Sequence, residues 1–208
     1  MGKAEEECPG GHRVIDIFAI ARDVVEKLSA KGTLTTPVPV AGIISIVEEM
    51  SAPTGLRKIE LLCHDWKSRQ FVSALFRFKD RAEIHYSAHS NLCWRRMAVC
   101  KEAIHLLMDT EQKHFTTNVP SLVEQLILGT IYSPDSLLDS EWMGEVAAIE
   151  VLLPWKLREV LKDMHKAGES DFQIAVQFRV PIKYVTAMLR GDYGKLSEKF
   201  NLGLDGKK

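Results

Sequence analysis

The sequence predicts an α+β fold that is mostly helical, with a small three-stranded antiparallel sheet and a C-terminal helix-turn-helix-like unit. Two observations lead there. Apolar residues recur at spacings of three and four on both sides of residues 57–87, the repeat of amphipathic helices. Within 57–87 the pattern changes to short runs rich in Ile, Leu, Val, Phe and Tyr, separated by polar turns.

The totals agree with this. A chain of 208 residues with 46% hydrophobic and 26% charged content suits one large domain, or one domain with a small appendage. A formal net charge of -1 gives no global attraction to nucleic acid or to an anionic membrane. Cys8, Cys63, Cys93 and Cys100 form no C-x-x-C pair. The acidic, polar start through Pro9 has no secretory pattern, so four free thiols in a reducing compartment are expected. Gly2 suggests a myristoyl acceptor, but Glu6 stands where Ser or Thr is needed. No apolar run approaches membrane-spanning length, so the expectation is a cytoplasmic protein without a membrane partner.

The elements follow in order. Residues 1–11, with E-E-E and P-G-G, read as a flexible tail. Val14, Ile17, Phe18, Ala21, Val24, Val25 and Leu28 mark a helix that stops at Lys31-Gly32. Pro37 and Pro39 keep the next connector extended, and a short helix runs from Val40 to Met50. Three strands are expected at Arg57 to His64, Gln70 to Phe78 and Ala82 to Ser87. A central helix covers Trp94 to Asp109. Ser121 caps a helix reaching Gly129, and a further helix spans Glu141 to Leu153. Pro154 ends it and starts another, with the stripe Leu157, Val160, Leu161 and Met164. Residues 169–191 hold two short helices about a tight turn, the first capped by Ser170 or Asp171, the second starting at Pro181. Residues 192–208 read as a frayed polar tail.

The central helix carries the chemistry. Trp94, Met97, Ala98, Lys101, Ile104, His105 and Met108 share one face. Lys101 and His105 are polar intruders one turn apart, with Glu102 on the flank. Two His at i and i+4 with a Glu after the first are the metal-binding signature of zinc peptidases. Here the stretch reads Lys101-Glu102-Ala103-Ile104-His105, complete except for the first ligand. A Glu and a His three apart also occur on ordinary amphipathic helices.

The order of these elements resembles the ImmA/IrrE family of zinc-dependent metallopeptidases. Arg96 to Met108 lies without a gap over that family's R-x-x-x-A-H-E-x-x-H-x-L-L motif. Glu141 to Pro154 follows the frame of its E-x-x-A-N segment and L-L-x-P ending. Ile174-Ala175-Val176-Gln177-Phe178-Arg179-Val180-Pro181 answers its L-A-x-x-F-x-V-S segment. The resemblance runs from about Pro37 to Arg190. It implies a zincin-like core in a metallopeptidase-like domain over residues 12–168.

The resemblance implies that Glu102 is the general base and that His105 and Glu141 are metal ligands. Two departures stand against activity. Lys101 replaces the first ligand, and Glu145 replaces the Asn. A catalytic zinc normally has three protein ligands and a water, and a protonated Lys does not ligate. The leading expectation is a pseudo-peptidase without a bound cofactor, acting by protein binding in phage, mobile-element or stress regulation, with a repressor as the kind of partner. An active zinc endopeptidase needs a compensating ligand, for which His114, His85, His89 and Cys100 are candidates. Cys100 is discounted because it points about 100° from Lys101 on the helix. A third reading is a regulator whose helix-turn-helix-like unit grips DNA through Arg179, Lys183, Arg190 and Lys195.

Overall fold

The structure is a computed structural model that describes residues 14–66, 72–108, 136–190 and 192–205. The 1–11 tail, the Ser121 to Gly129 helix and His114 fall outside the described residues. Helix α1, Val14–Ala30, buries Ile17, Phe18, Ala21, Val24, Val25 and Leu28. It ends where Gly32 takes φ +68, a conformation a side chain would strain. Helix α2, Val40–Ser51, lies beside it, burying Ile43, Ile46 and Val47. Lys27 and Lys31 of the α1 end both reach Glu49, at 2.8 and 2.6 Å.

The sheet comprises β1, Lys58–His64, β2, Ser73–Arg77, and β3, Arg81–Ser87, in the order β1-β3-β2. It is mixed, and this corrects the antiparallel expectation. β2 and β3 pair antiparallel, while β1 pairs parallel to β3. The physical reason lies in β3, whose Ala82 and Ile84 are fully buried. A strand that buries such residues gains most in the centre, with partners on both edges. The tight turn at residues 78–80 keeps β2 beside β3, Phe78 N–H donating to Arg81 O at 2.8 Å. Parallel pairing needs a crossover, and the β1-to-β3 crossover contains β2 itself.

Helix α3, Leu92–His105, is the spine, packed against β2 and β3 on one side and against α4, Ser136–Leu152, on the other. Met97, Ala98, Ile104 and Met108 are buried, as the stripe predicts. Asn91 caps the helix by accepting from Trp94 N–H at 3.1 Å. The helix is shorter than expected. Leu106 N–H turns back to Ala103 O and Leu107 N–H to Ile104 O, so the last turn tightens and the α-helix closes at His105. Trp94 differs too, since it sits in the first turn and stays 37% exposed.

After α4 the chain makes a 3-10 turn at Trp155–Leu157 and enters α5, Arg158–Lys166. Helices α6, Asp171–Phe178, and α7, Ile182–Arg190, follow, joined by three residues. Ser170 caps α6 in a reciprocal box with Gln173. Arg179 ends α6 at φ 52, ψ 49, the left-handed conformation more often given to Gly.

The tail expected from Asp192 is corrected. Residues Asp192–Asp205 form helix α8, which packs against α1 and α7. Composition hid this because the anchor is polar. Glu150 of α4 is buried and accepts from Arg158 Nη2 at 2.5 Å, Ser197 Oγ at 2.6 Å, Tyr193 OH at 2.7 Å and Asn201 Nδ2 at 3.3 Å. Two α8 residues that look like surface polars, Ser197 and Asn201, are therefore core groups with satisfied bonds. Among the described residues no helix is long and apolar enough to cross a membrane.

Candidate functional site

The site forms where α3 passes between the sheet and α4. Glu102 is buried on α3 because its neighbours Ala103 and Ile104 must fill the core. A buried carboxylate needs donors. Ser73 at the start of β2 gives its hydroxyl to Glu102 Oε1 at 2.7 Å. Strand alternation puts Ser73, Leu75 and Arg77 on the α3 side, opposite Tyr86, Ile84 and Ala82. Lys101 Nζ lies 3.1 Å from the same Glu102 Oε1, and the Lys101 side chain is only 18% exposed. The two expected neighbours on the motif thus meet each other.

His105 ends α3, half-buried against α4. The contact is so close that it needs a glycine. A methyl group built on Gly144 would stand 2.6 Å from His105 Cε1, inside any real contact distance. Glu141 belongs to the same helix, three residues before Gly144, but its side chain lies outside the described residues. The convergence of Glu141 with His105 and Glu102 that the ligand roles imply therefore rests on a side-chain position outside that description.

Glu145 follows Gly144 on α4. Lys183 Nζ and Tyr184 OH of α7 both reach its Oε1, at 2.8 and 2.5 Å. Burial acts to raise the Glu145 pKa. The hydrogen bonds from Lys183 and Tyr184, with the charges of Lys183 and Lys101 behind them, outweigh it and hold the carboxyl below the usual range. Burial pushes the Tyr184 phenol well up, and the Glu145 bond adds to that. Trp94 of α3 completes the rim. Its ring meets Tyr184 edge-on at 6.1 Å, and Lys183 Nζ stands 5.0 Å from its centroid. Below the rim, Arg96 donates to Arg179 O at 3.0 Å and to Val38 O at 2.7 Å, tying the α6–α7 connection to α3.

The described candidates for a compensating ligand, His85, His89 and Cys100, stand elsewhere. His85 alternates with the buried Ala82 and Ile84, so it faces away from α3. It bonds there to Glu83 at 3.1 Å and to His64 at 2.8 Å. His89 pairs with Asp65 beyond the strand end. Cys100 is fully buried, and burial pushes its thiol up to about 12, against a smaller opposing effect of Arg96. A thiol so held is protonated at neutral pH, and its Sγ lies against Ala148 O of α4.

Zinc, the metal that the resemblance implies, asks for three lone-pair donors and an open position. Here the described side chains offer the His105 imidazole and the Glu102 carboxylate, with an ammonium set against the carboxylate. An ammonium has no lone pair and repels a dication. Among the described residues no group of three or more His, Cys, Asp or Glu is arranged to hold a metal ion. The described donors do not fit zinc.

Sequence reasoning missed Ser73, Gly144, Lys183 and Tyr184 as members of this region. Only the strand alternation of residues 71–78 pointed at Ser73, and nothing local marks the other three. No protein-family model matches the chain, and no curated protein matches it closely enough to count as a relative.

Proposed function

We infer that this chain is a metallopeptidase-like protein with a degenerate zinc site, a pseudo-peptidase that acts by binding a protein in phage, mobile-element or stress regulation. The family reading rests on the three motifs of the ImmA/IrrE resemblance and on their order. What supports loss of the enzyme is one contact. Oε1 of Glu102, the residue the resemblance makes the general base, accepts from the Ser73 hydroxyl at 2.7 Å and stands 3.1 Å from Lys101 Nζ. A carboxylate held by an ammonium and a hydroxyl is a poor base, and the metal that would supply an activated water has lost a ligand. Partner binding is the role left to a retained fold, and a repressor-type protein is the partner class that the resemblance suggests.

The test is a metal assay on protein purified without chelator. The reading expects well under one equivalent of zinc. A full equivalent that is lost on His105→Ala would favour the alternative, a zinc endopeptidase cleaving a repressor-type protein.

A DNA-binding regulator is the other alternative. One observation favours it. The α6–α7 connection has a left-handed residue, Arg179, where helix-turn-helix units commonly carry Gly. Against it, Lys183 of α7 is paired with Glu145 at 2.8 Å, and Thr186 is bonded to Asp171 at 2.7 Å. Both would face bases in a recognition helix.

A further inference from the structure

Trp94, Tyr184 and Glu145 form a cradle for an ammonium ion, and Lys183 fills it. The Lys183 Nζ stands 5.0 Å from the Trp94 centroid and 4.5 Å from that of Tyr184, with Glu145 Oε1 at 2.8 Å. Two aromatic faces and one carboxylate are the elements by which proteins recognise quaternary and methylated ammonium groups. The three groups come from α3, α7 and α4, so their meeting is a product of the fold.

The Tyr184 OH bond fixes the carboxylate independently of Lys183, at 2.5 Å on the same oxygen. The Arg96 bond to Arg179 O ties the α6–α7 connection to α3. The cradle is thus held in place by groups other than its occupant. The occupant is weakly held. The Lys183 and Glu145 side chains are 53% and 37% exposed, and water screens an exposed pair of this kind. Trp94 presents a large apolar face to solvent beside it.

We propose that this cradle is a binding site for a lysine side chain of a protein partner, and that Lys183 is its internal stand-in. The incoming ammonium takes the place of Lys183 Nζ on Glu145 and between the two rings, and Lys183 swings into water. Lysine is the occupant assigned because Lys183 itself shows that a compact ammonium fits between the carboxylate and the rings. The inference rests on the protein-binding reading above, and it gives that reading a partner chemistry.

The test uses the whole protein and small probes. N-acetyl-lysine methylamide is titrated against the unaltered protein, Lys183→Ala and Lys183→Gln, with the Trp94 indole N–H followed by NMR and assigned from Trp94→Phe. N-acetyl-norleucine methylamide is the neutral control. Removing the stand-in is expected to tighten the lysine probe by roughly tenfold. The added change Glu145→Gln should abolish the response, and the neutral probe should give none. Lys183→Gln keeps part of the stem and removes the charge, so it serves if Lys183→Ala fails to fold. No shift of Trp94 in either folded variant, or an equal shift with the neutral probe, overturns the proposal. A zinc result for His105 leaves this readout untouched, so the two failures are distinguishable.

Discussion

Lys101 Nζ stands 3.1 Å from Glu102 Oε1, although the two residues are adjacent on α3 and leave the helix about 100° apart. The meeting depends on the long Lys stem curling round to a carboxylate that its backbone cannot turn toward solvent. The Glu102 side chain is 6% exposed, so its charge needs a nearby donor. Lys101→Met should therefore destabilise the protein by about 2 kcal/mol, less than for a fully buried pair because Lys101 is partly wet and Ser73 remains. Glu102→Gln in the same background should recover part of the loss. Urea denaturation of the four combinations checks both.

Gly144 lets α4 close on His105. Gly144→Ala gains helix propensity of up to about 1 kcal/mol but forces the imidazole aside, an overpacking cost of about 1–3 kcal/mol. The net expectation is a small loss of stability with a large shift of the His105 ring signals. Unchanged His105 resonances in the variant would show that the close approach is absent.

Arg158 and Glu150 hold α5 and α8 to α4. Arg158→Met leaves the buried Glu150 carboxylate with Tyr193, Ser197 and Asn201 but no countercharge, and should cost about 3 kcal/mol or more. Truncation before Asp192 leaves Arg158 in place but takes Tyr193, Ser197 and Asn201 from Glu150, and should destabilise the fold as well. Thermal unfolding of each variant, read against a surface change such as Lys166→Ala, measures the effect.

Glu145 makes the α7 contact acid-sensitive. Its folded pKa lies below the ordinary 4.5, so the carboxylate form is favoured by folding. That contribution is fully present above 4.5 and is lost as pH falls from there through the lower folded pKa. The unaltered protein should be more stable than Glu145→Gln at neutral pH, and the gap should narrow below 4.5. Paired denaturant titrations across that range check the sign.

The helices and the strands were legible where burial is one-sided. Ile17, Phe18, Ala21 and Val24 write a helix plainly, and Ala82 and Ile84 write a strand. Strand order was not legible, because the centre of a sheet is set by which strand buries most, and alternation alone does not rank strands. Helix α8 was hidden because Ser197 and Asn201 bury polar groups whose partners, Glu150 and Arg158, are distant in sequence. Within the site, Lys101, Glu102 and His105 stood out as polar residues on an apolar stripe. Glu145 stood out only as a departure from a motif. Its partners Lys183 and Tyr184 come from another helix, and no local pattern encodes such a contact.

On the proposed function, Lys101 stands in place of the first metal ligand. Calorimetric titration with zinc of the unaltered protein and of Lys101→His tests it most directly. The account predicts no tight zinc site in the unaltered protein and measurable one-to-one binding after Lys101→His, dependent on His105, because a three-ligand set is then restored. Tight stoichiometric zinc binding by the unaltered protein, abolished by His105→Ala, would contradict it.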